Sequence, residues 1–418
     1  MIGPWLASPA PSPALMVKPL LLLSNQFIFM MGFYMVVPFL AAFMRDDLAL
    51  ESVAIGLVLG IRTFSQQGLF IVGGAFADRL GPRRLILLGC AVRIIGFLML
   101  GVSRDFATVL LGACLTGFAG ALFSPAISSL AASVGEARSR QGKETRAHFF
   151  ARMAVWGELG AIVGPLAGAL LLGIGFQAMA LGGAAVFAAA YVVLHIYLPR
   201  TSPSEAPSRD NQWWRVFSDR LFIAFTLAHS GFLFSYNQLY FALPVEIRRA
   251  GGSDADLAPL FMLASLMVVT LQMPVTRRVS TISWSRSLFF GFALMALAFL
   301  AVAACAAFPA PAGPLRLVPA AMLVVLLILG QMTVRPVAMD MVPRFANGRS
   351  TATYYGALAS AGGLAVLVGN VLLGPSLERA LAPGPGAALP WITLASVPAV
   401  CSLAIIPIVR RLALRPGA

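Results

Sequence analysis

The chain has 418 residues, of which 59% are hydrophobic and only 11% charged. So little polar surface cannot hold a chain this long in water, where roughly 25% charged residues is usual. The apolar runs are also too long and continuous for the alternating strands of a β-barrel. The formal net charge of +14 reads as cations that orient a chain in a bilayer, so the expected partner is lipid and not nucleic acid.

Residues 1–18 are Pro-rich and hold one cation, Lys18. The apolar run that follows is too long for a signal-peptide core and is expected to remain as the first span. A helix needs about 20 apolar residues to cross roughly 30 Å of hydrocarbon. Apolar runs bounded by charged or Gly/Pro-rich breaks then predict twelve spans, near 19–44, 52–77, 85–102, 107–133, 148–173, 177–198, 219–245, 256–276, 287–307, 317–343, 350–374 and 389–409. Residues 199–218 are polar and rich in Pro and Ser, and read as a linker. The expected fold class is an all-α membrane protein whose twelve transmembrane helices form two six-helix halves, 1–198 and 219–418.

Twenty of the 30 Lys and Arg residues fall on the side of the two termini, in clusters such as Arg79, Arg83 and Arg84 or Arg138, Arg140, Lys143 and Arg146. Six lie in loops on the other side, and this bias predicts cytoplasmic termini in a bacterial inner membrane. Cys90, Cys114, Cys305 and Cys401 all fall in apolar stretches without metal-ligand spacing, and read as packing residues. The sequence holds no nucleotide-binding loop or catalytic triad, so neither an enzyme nor a cofactor or metal is expected.

After the second span the chain reads Gly73-Gly74-Ala75-Phe76-Ala77-Asp78-Arg79-Leu80-Gly81-Pro82-Arg83-Arg84. Gly81-Pro82 breaks the helix, and Asp78 among arginines can latch onto cations or a helix N-terminus. The stretch resembles the signature loop of the major facilitator superfamily at Gly74, Asp78, Arg79, Gly81 and Arg83, with Pro82 where that pattern usually carries a base. The resemblance implies a conformational latch that braces the outward-facing state without touching substrate.

In the fifth span, Gly160, Gly164 and Gly168 recur every four residues and form a bare helical stripe, with Pro165 beside it. Close helix packing accounts for the glycines by themselves. The stripe with its Gly-Pro step also resembles the antiporter motif of exporters in this superfamily, where it seals the outer side between the two halves. That resemblance favours export over import.

Gly60-Ile61-Arg62, Gln66-Gln67-Gly68, Arg93 to Phe97, Gly117 to Pro125 and Tyr354-Tyr355-Gly356 extend the likeness, at low density over most of the chain, to the MdtH branch of bacterial multidrug exporters within the drug:proton antiporters. Two departures matter. The first span offers Ser24, Asn25 and Gln26 where many such antiporters carry an acid, and Ala113 stands near the position of the family's fourth-span arginine. Proton coupling cannot be carried over from those two places.

Charges within spans cost several kcal/mol and usually serve function or pair. Glu158 lies about 16 Å into the fifth span by helical rise, where desolvation suits it to binding and releasing protons. Its other reading is an ion pair with Arg62 or Arg93. Arg335 and Asp340 share the tenth span five residues apart, badly placed to pair with each other. Asp340 is a second coupling candidate and also suits a gate salt bridge. Asn25, Gln26, Tyr34, Gln66, Gln67, His229, Tyr236, Asn237, Tyr354 and Tyr355 are candidates to line a cavity, whereas Tyr240 suits an interfacial belt. The resulting expectation is a monomeric, proton-coupled exporter of amphipathic small molecules. Export of one dedicated metabolite, or a transport-inactive receptor or scaffold, are the alternatives; the longest loop, about 20 residues, argues against a receptor.

Overall fold

Backbone crossing hydrocarbon must satisfy its own N–H and C=O groups, and a helix does so within one segment. A computed structural model describes residues 18–70, 76, 80–143, 146–199, 213–311, 313–346, 351–381 and 385–413. Its principal helices are α1 (Pro19–Val36), α2 (Leu40–Asp46), α3 (Ser52–Gln67), α4 (Pro82–Val102), α5 (Phe106–Arg140), α6 (Arg146–Leu172) and α7 (Phe176–Tyr197). They continue as α8 (Arg220–Phe241), α9 (Leu243–Arg249), α10 (Leu257–Ser280), α11 (Trp284–Ala306), α12 (Val318–Ala346), α13 (Thr351–Leu377) and α14 (Leu389–Ala413).

Among the described residues, 10 helices are long and apolar enough to cross a membrane. The helices α3 and α8 stand where the second and seventh spans are expected. The first predicted span is not one smooth helix. It breaks at a 3-10 turn, Val37–Phe39, around Pro38, whose ring removes an N–H donor and clashes with the preceding turn. The seventh breaks likewise before Pro244, so that α9 is a separate short helix. At the linker side, α8 starts on an Asp219 cap whose carboxylate accepts from the Leu221 and Phe222 amides at 3.1 Å each.

The α1–α7 set packs through α4 on α5 and α7, α1 on α6 and α7, and α3 on α5. The α8–α14 set packs through α11 on α12 and α14, α8 on α13 and α14, and α10 on α12. The two sets meet mainly along α3–α13 and α6–α10. Glycine permits the α3–α13 approach: a methyl group at Gly60 would lie 2.7 Å from the Leu367 Cα, and one at Gly374 2.8 Å from the Ser52 carbonyl oxygen. Leu170, Leu372 and Leu403 point outward and exposed, as lipid-facing side chains do.

Candidate functional site

Glu158 sits near the middle of α6, half-buried, at the α6–α10 contact. Ser265 of α10 and Arg335 of α12 are both close enough to act on its carboxyl. The ion-pair reading with Arg62 or Arg93 is therefore corrected: the arginine beside Glu158 is Arg335. It comes from the other set of helices because α12 packs behind α10, a relation that no sequence spacing encodes.

Three tyrosines stand next to this group. Tyr34 of α1 and Tyr240 of α8 place their hydroxyls 3.4 Å apart, and Tyr236, one turn before Tyr240, is close enough to act on both. All three feel the Glu158 charge. Phe261 of α10 stacks on Tyr240 at 5.5 Å between ring centroids and meets Tyr34 edge-on. Tyr240 is thus buried at the centre of the site rather than in an interfacial belt. Ser265 and Phe261 carry no sequence signal of their own; they follow only from the α6–α10 pairing.

Arg62 and Arg93 are both buried in the α1–α7 set, Arg62 against the tyrosine cluster. Arg62 donates to Thr63 Oγ1 at 3.0 Å and to Gln66 Oε1 at 3.4 Å, and lies over the rings of Phe33 and Tyr240. Arg93 is enclosed by Phe33, Phe97, Phe123 and Phe187, with centroids 5.2–5.8 Å from its guanidinium carbon. Cations over ring faces gain about 0.5–2 kcal/mol each.

The other candidates divide. Gln26 lies against Gly157, and Thr63 donates to Asn237 at 3.5 Å. Gln67 packs against Gly363 of α13. Asn25 is buried with its amide unpartnered among the described residues. His229 is stacked between Phe225 and Phe232, and Tyr354 is buried against Phe222; both pack on aromatic neighbours within the α8–α14 set. Tyr355 donates to the Met339 carbonyl at 2.8 Å and feels the charge of Asp340. Asp340 itself is exposed, and no gate salt bridge to it is found among the described residues.

Gly74, Asp78 and Arg79 of the latch motif lie outside the described residues. Gly81 adopts φ 80° as the residue before α4, a conformation that glycine takes at little cost. Arg83 donates to the carbonyls of Leu198 and His195 at 2.8 Å each, tying the start of α4 to the end of α7. The glycine stripe makes a close helix–helix contact, as its spacing alone predicts. Gly160, Gly164 and Gly168 face the backbone of Phe27, Met31 and Met35 in α1, so the stripe seats α6 on a neighbour within its own set. Glu158, off that stripe, meets α10.

At the end opposite the linker the two sets are tied together. Arg248 forms an ion pair with Asp46 and reaches Asp254 at 3.5 Å, while the Ser52 amide donates to Glu378 at 3.2 Å. Behind them a buried pair, Glu246–Arg249 at 2.7 Å, adds a bond from Arg249 to the Phe308 carbonyl at 3.2 Å.

Residues 22–370 match the family model described as Major Facilitator Superfamily. The chain is 35% identical over 372 residues to an MFS-type transporter, Rv0849, of Mycobacterium tuberculosis, covering 86% of this chain and 85% of the relative. It is 27% identical over 401 residues to the multidrug resistance protein MdtH of Salmonella newport, covering 93% of each. The fold matches that of a POT family transporter crystallised with a thioalcohol-conjugated peptide, with TM-score 0.81 and 13% identity over 96% of this chain and all of that one. Such a helical frame, a polar and aromatic site at mid-depth between two packed sets, and likeness along nearly the whole length converge: the chain belongs to the Major Facilitator Superfamily and is a multi-pass membrane transporter of small molecules.

Proposed function

We propose that the protein exports amphipathic small molecules in exchange for protons, by alternating access between the halves 1–198 and 219–418 about the linker 199–218. It would work as a monomer in a bacterial inner membrane, with both termini and the linker cytoplasmic. The observation that carries this reading is the position of Glu158. It is the one acidic side chain at mid-depth in α1–α7, it faces Ser265 across the seam, and Arg335 and the three tyrosines are close enough to interact with it electrostatically. A carboxyl shared between the two moving parts can lose its proton when substrate binds and regain it when the site faces the other way. The multidrug resistance name of the MdtH relative supports the substrate class. Proton entry is favoured by about 2.3 kcal/mol per charge for each 100 mV.

The test uses purified protein in liposomes under an imposed proton gradient, with internal pH followed as a lipophilic cation or an amphipathic anion is added. Substrate-dependent proton movement in the wild type, reduced more than tenfold in Glu158→Gln, is expected. Full coupling in Glu158→Gln would pass the role to Asp340. Silence across the panel would favour a dedicated metabolite.

A further inference from the structure

Arg62 and Arg93 are 3% and 2% exposed, and each lies over the same ring, Phe33, at 5.4 and 5.8 Å. Gln66 links the two: a methyl group at Gly120 would lie 3.1 Å from Arg93 Nη2 and 3.1 Å from Gln66 Cγ, and Gln66 accepts from Arg62. Two like charges are thus held together at mid-depth. The one acid at that depth in α1–α7 is Glu158, whose neighbouring arginine is Arg335. Among the described residues, Arg93 Nε and Nη1 and Arg62 Nε have no acceptor. Ring faces offset part of the charge but accept no N–H bond from these in-plane donors. A buried guanidinium fork is built to hold an oxyanion or a halide.

We propose that Arg62 and Arg93 form a binding site for one compact monovalent anionic group, either a free halide or the carboxylate of an acidic substrate. Both arginines belong to the α1–α7 set, and the site borders the tyrosine cluster, where Arg62 lies over Tyr240, without including Glu158 or Ser265. It goes beyond the proton-exchange reading and does not depend on it, because the binding is measured without a gradient.

The full-length protein in detergent, in chloride-free buffer at constant ionic strength held with sodium HEPES, is titrated with sodium chloride, sodium benzoate or the uncharged counterpart benzamide. Thermal unfolding is followed by intrinsic fluorescence. A saturable rise in Tm with at least one anion and none with benzamide is expected, with binding at least tenfold weaker in Arg93→Gln and Arg62→Gln. A rise with chloride alone assigns a resident halide; a rise with benzoate assigns the acid group of a substrate. No saturable rise in the wild type, or one that survives unchanged in both variants, overturns the site. Arg93→Lys keeps the charge without the planar fork and serves where the glutamine variants do not fold. Weakened binding in it supports the site, and undiminished binding overturns it.

Discussion

Glu158 on α6 and Ser265 on α10 face each other across the boundary between the two sets of helices, close enough for the serine to act on the carboxyl. Because α6–α10 is one of the two main seams between the sets, any movement that parts them must separate this pair. Ser265→Ala is expected to slow transport by about two- to fivefold, the effect of losing roughly 0.5–1 kcal/mol, less than Glu158→Gln does and with an unchanged amount of folded protein. Equal activity in Ser265→Ala and wild type, in the same liposome assay, would remove the pair from the working cycle.

The α1–α6 seam has no room for a side chain. A methyl group on Gly164 would sit 2.6 Å from the Met31 carbonyl oxygen, and on Gly168 2.5 Å from that of Met35. Gly164→Ala should lower stability by about 1–3 kcal/mol, seen as a fall in Tm. Gly173→Ala, where nothing lies within 4 Å, is the matched control and should leave Tm nearly unchanged.

Glu246 and Arg249 are an ion pair with side chains 0% and 1% exposed. Arg249→Met alone strands a buried carboxylate and should cost about 3–5 kcal/mol, whereas the double replacement Glu246→Met with Arg249→Met should recover most of it. Thermal unfolding of the two variants side by side checks this, and a double variant no better than the single would contradict it.

The Asp46–Arg248 pair is more exposed, at 41% and 26%, and pairs of that kind contribute about 0.2–1 kcal/mol. Asp46→Asn is expected to shift the balance of open and closed forms of the end opposite the linker by less than about fivefold, with the effect shrinking as salt is raised. Distances between spin labels on α2 and α9, measured in wild type and Asp46→Asn, report that balance.

Hydropathy reveals the spans because lipid leaves the backbone no partner but itself, and that constraint acts locally along the chain. The same reasoning found Glu158 and the glycine stripe, since an acid or a bare helical face is conspicuous within an apolar run. It could not say that Arg335 rather than Arg62 would lie by Glu158, because that depends on α12 packing beside α10. Nor could it separate Tyr240, which joins the site, from Tyr354, which is buried against Phe222. Both are tyrosines in apolar helices, and only the rotation of each helix about its axis distinguishes them. The glycine stripe shows the same limit: spacing establishes a close approach but not the neighbour, which is α1.

The break at Pro38 gives the first span a joint. Below it, α1 carries Tyr34 and lies along α6; above it, α2 carries Asp46, the residue held by Arg248. A segment divided in this way can swing its upper arm while the lower arm stays seated, so the Asp46–Arg248 tie can release without dragging the tyrosine cluster with it. Opening at the rim and rearrangement at mid-depth are then two separable motions with a common axle, and a rigid replacement such as Pro38→Ala should weld them into one.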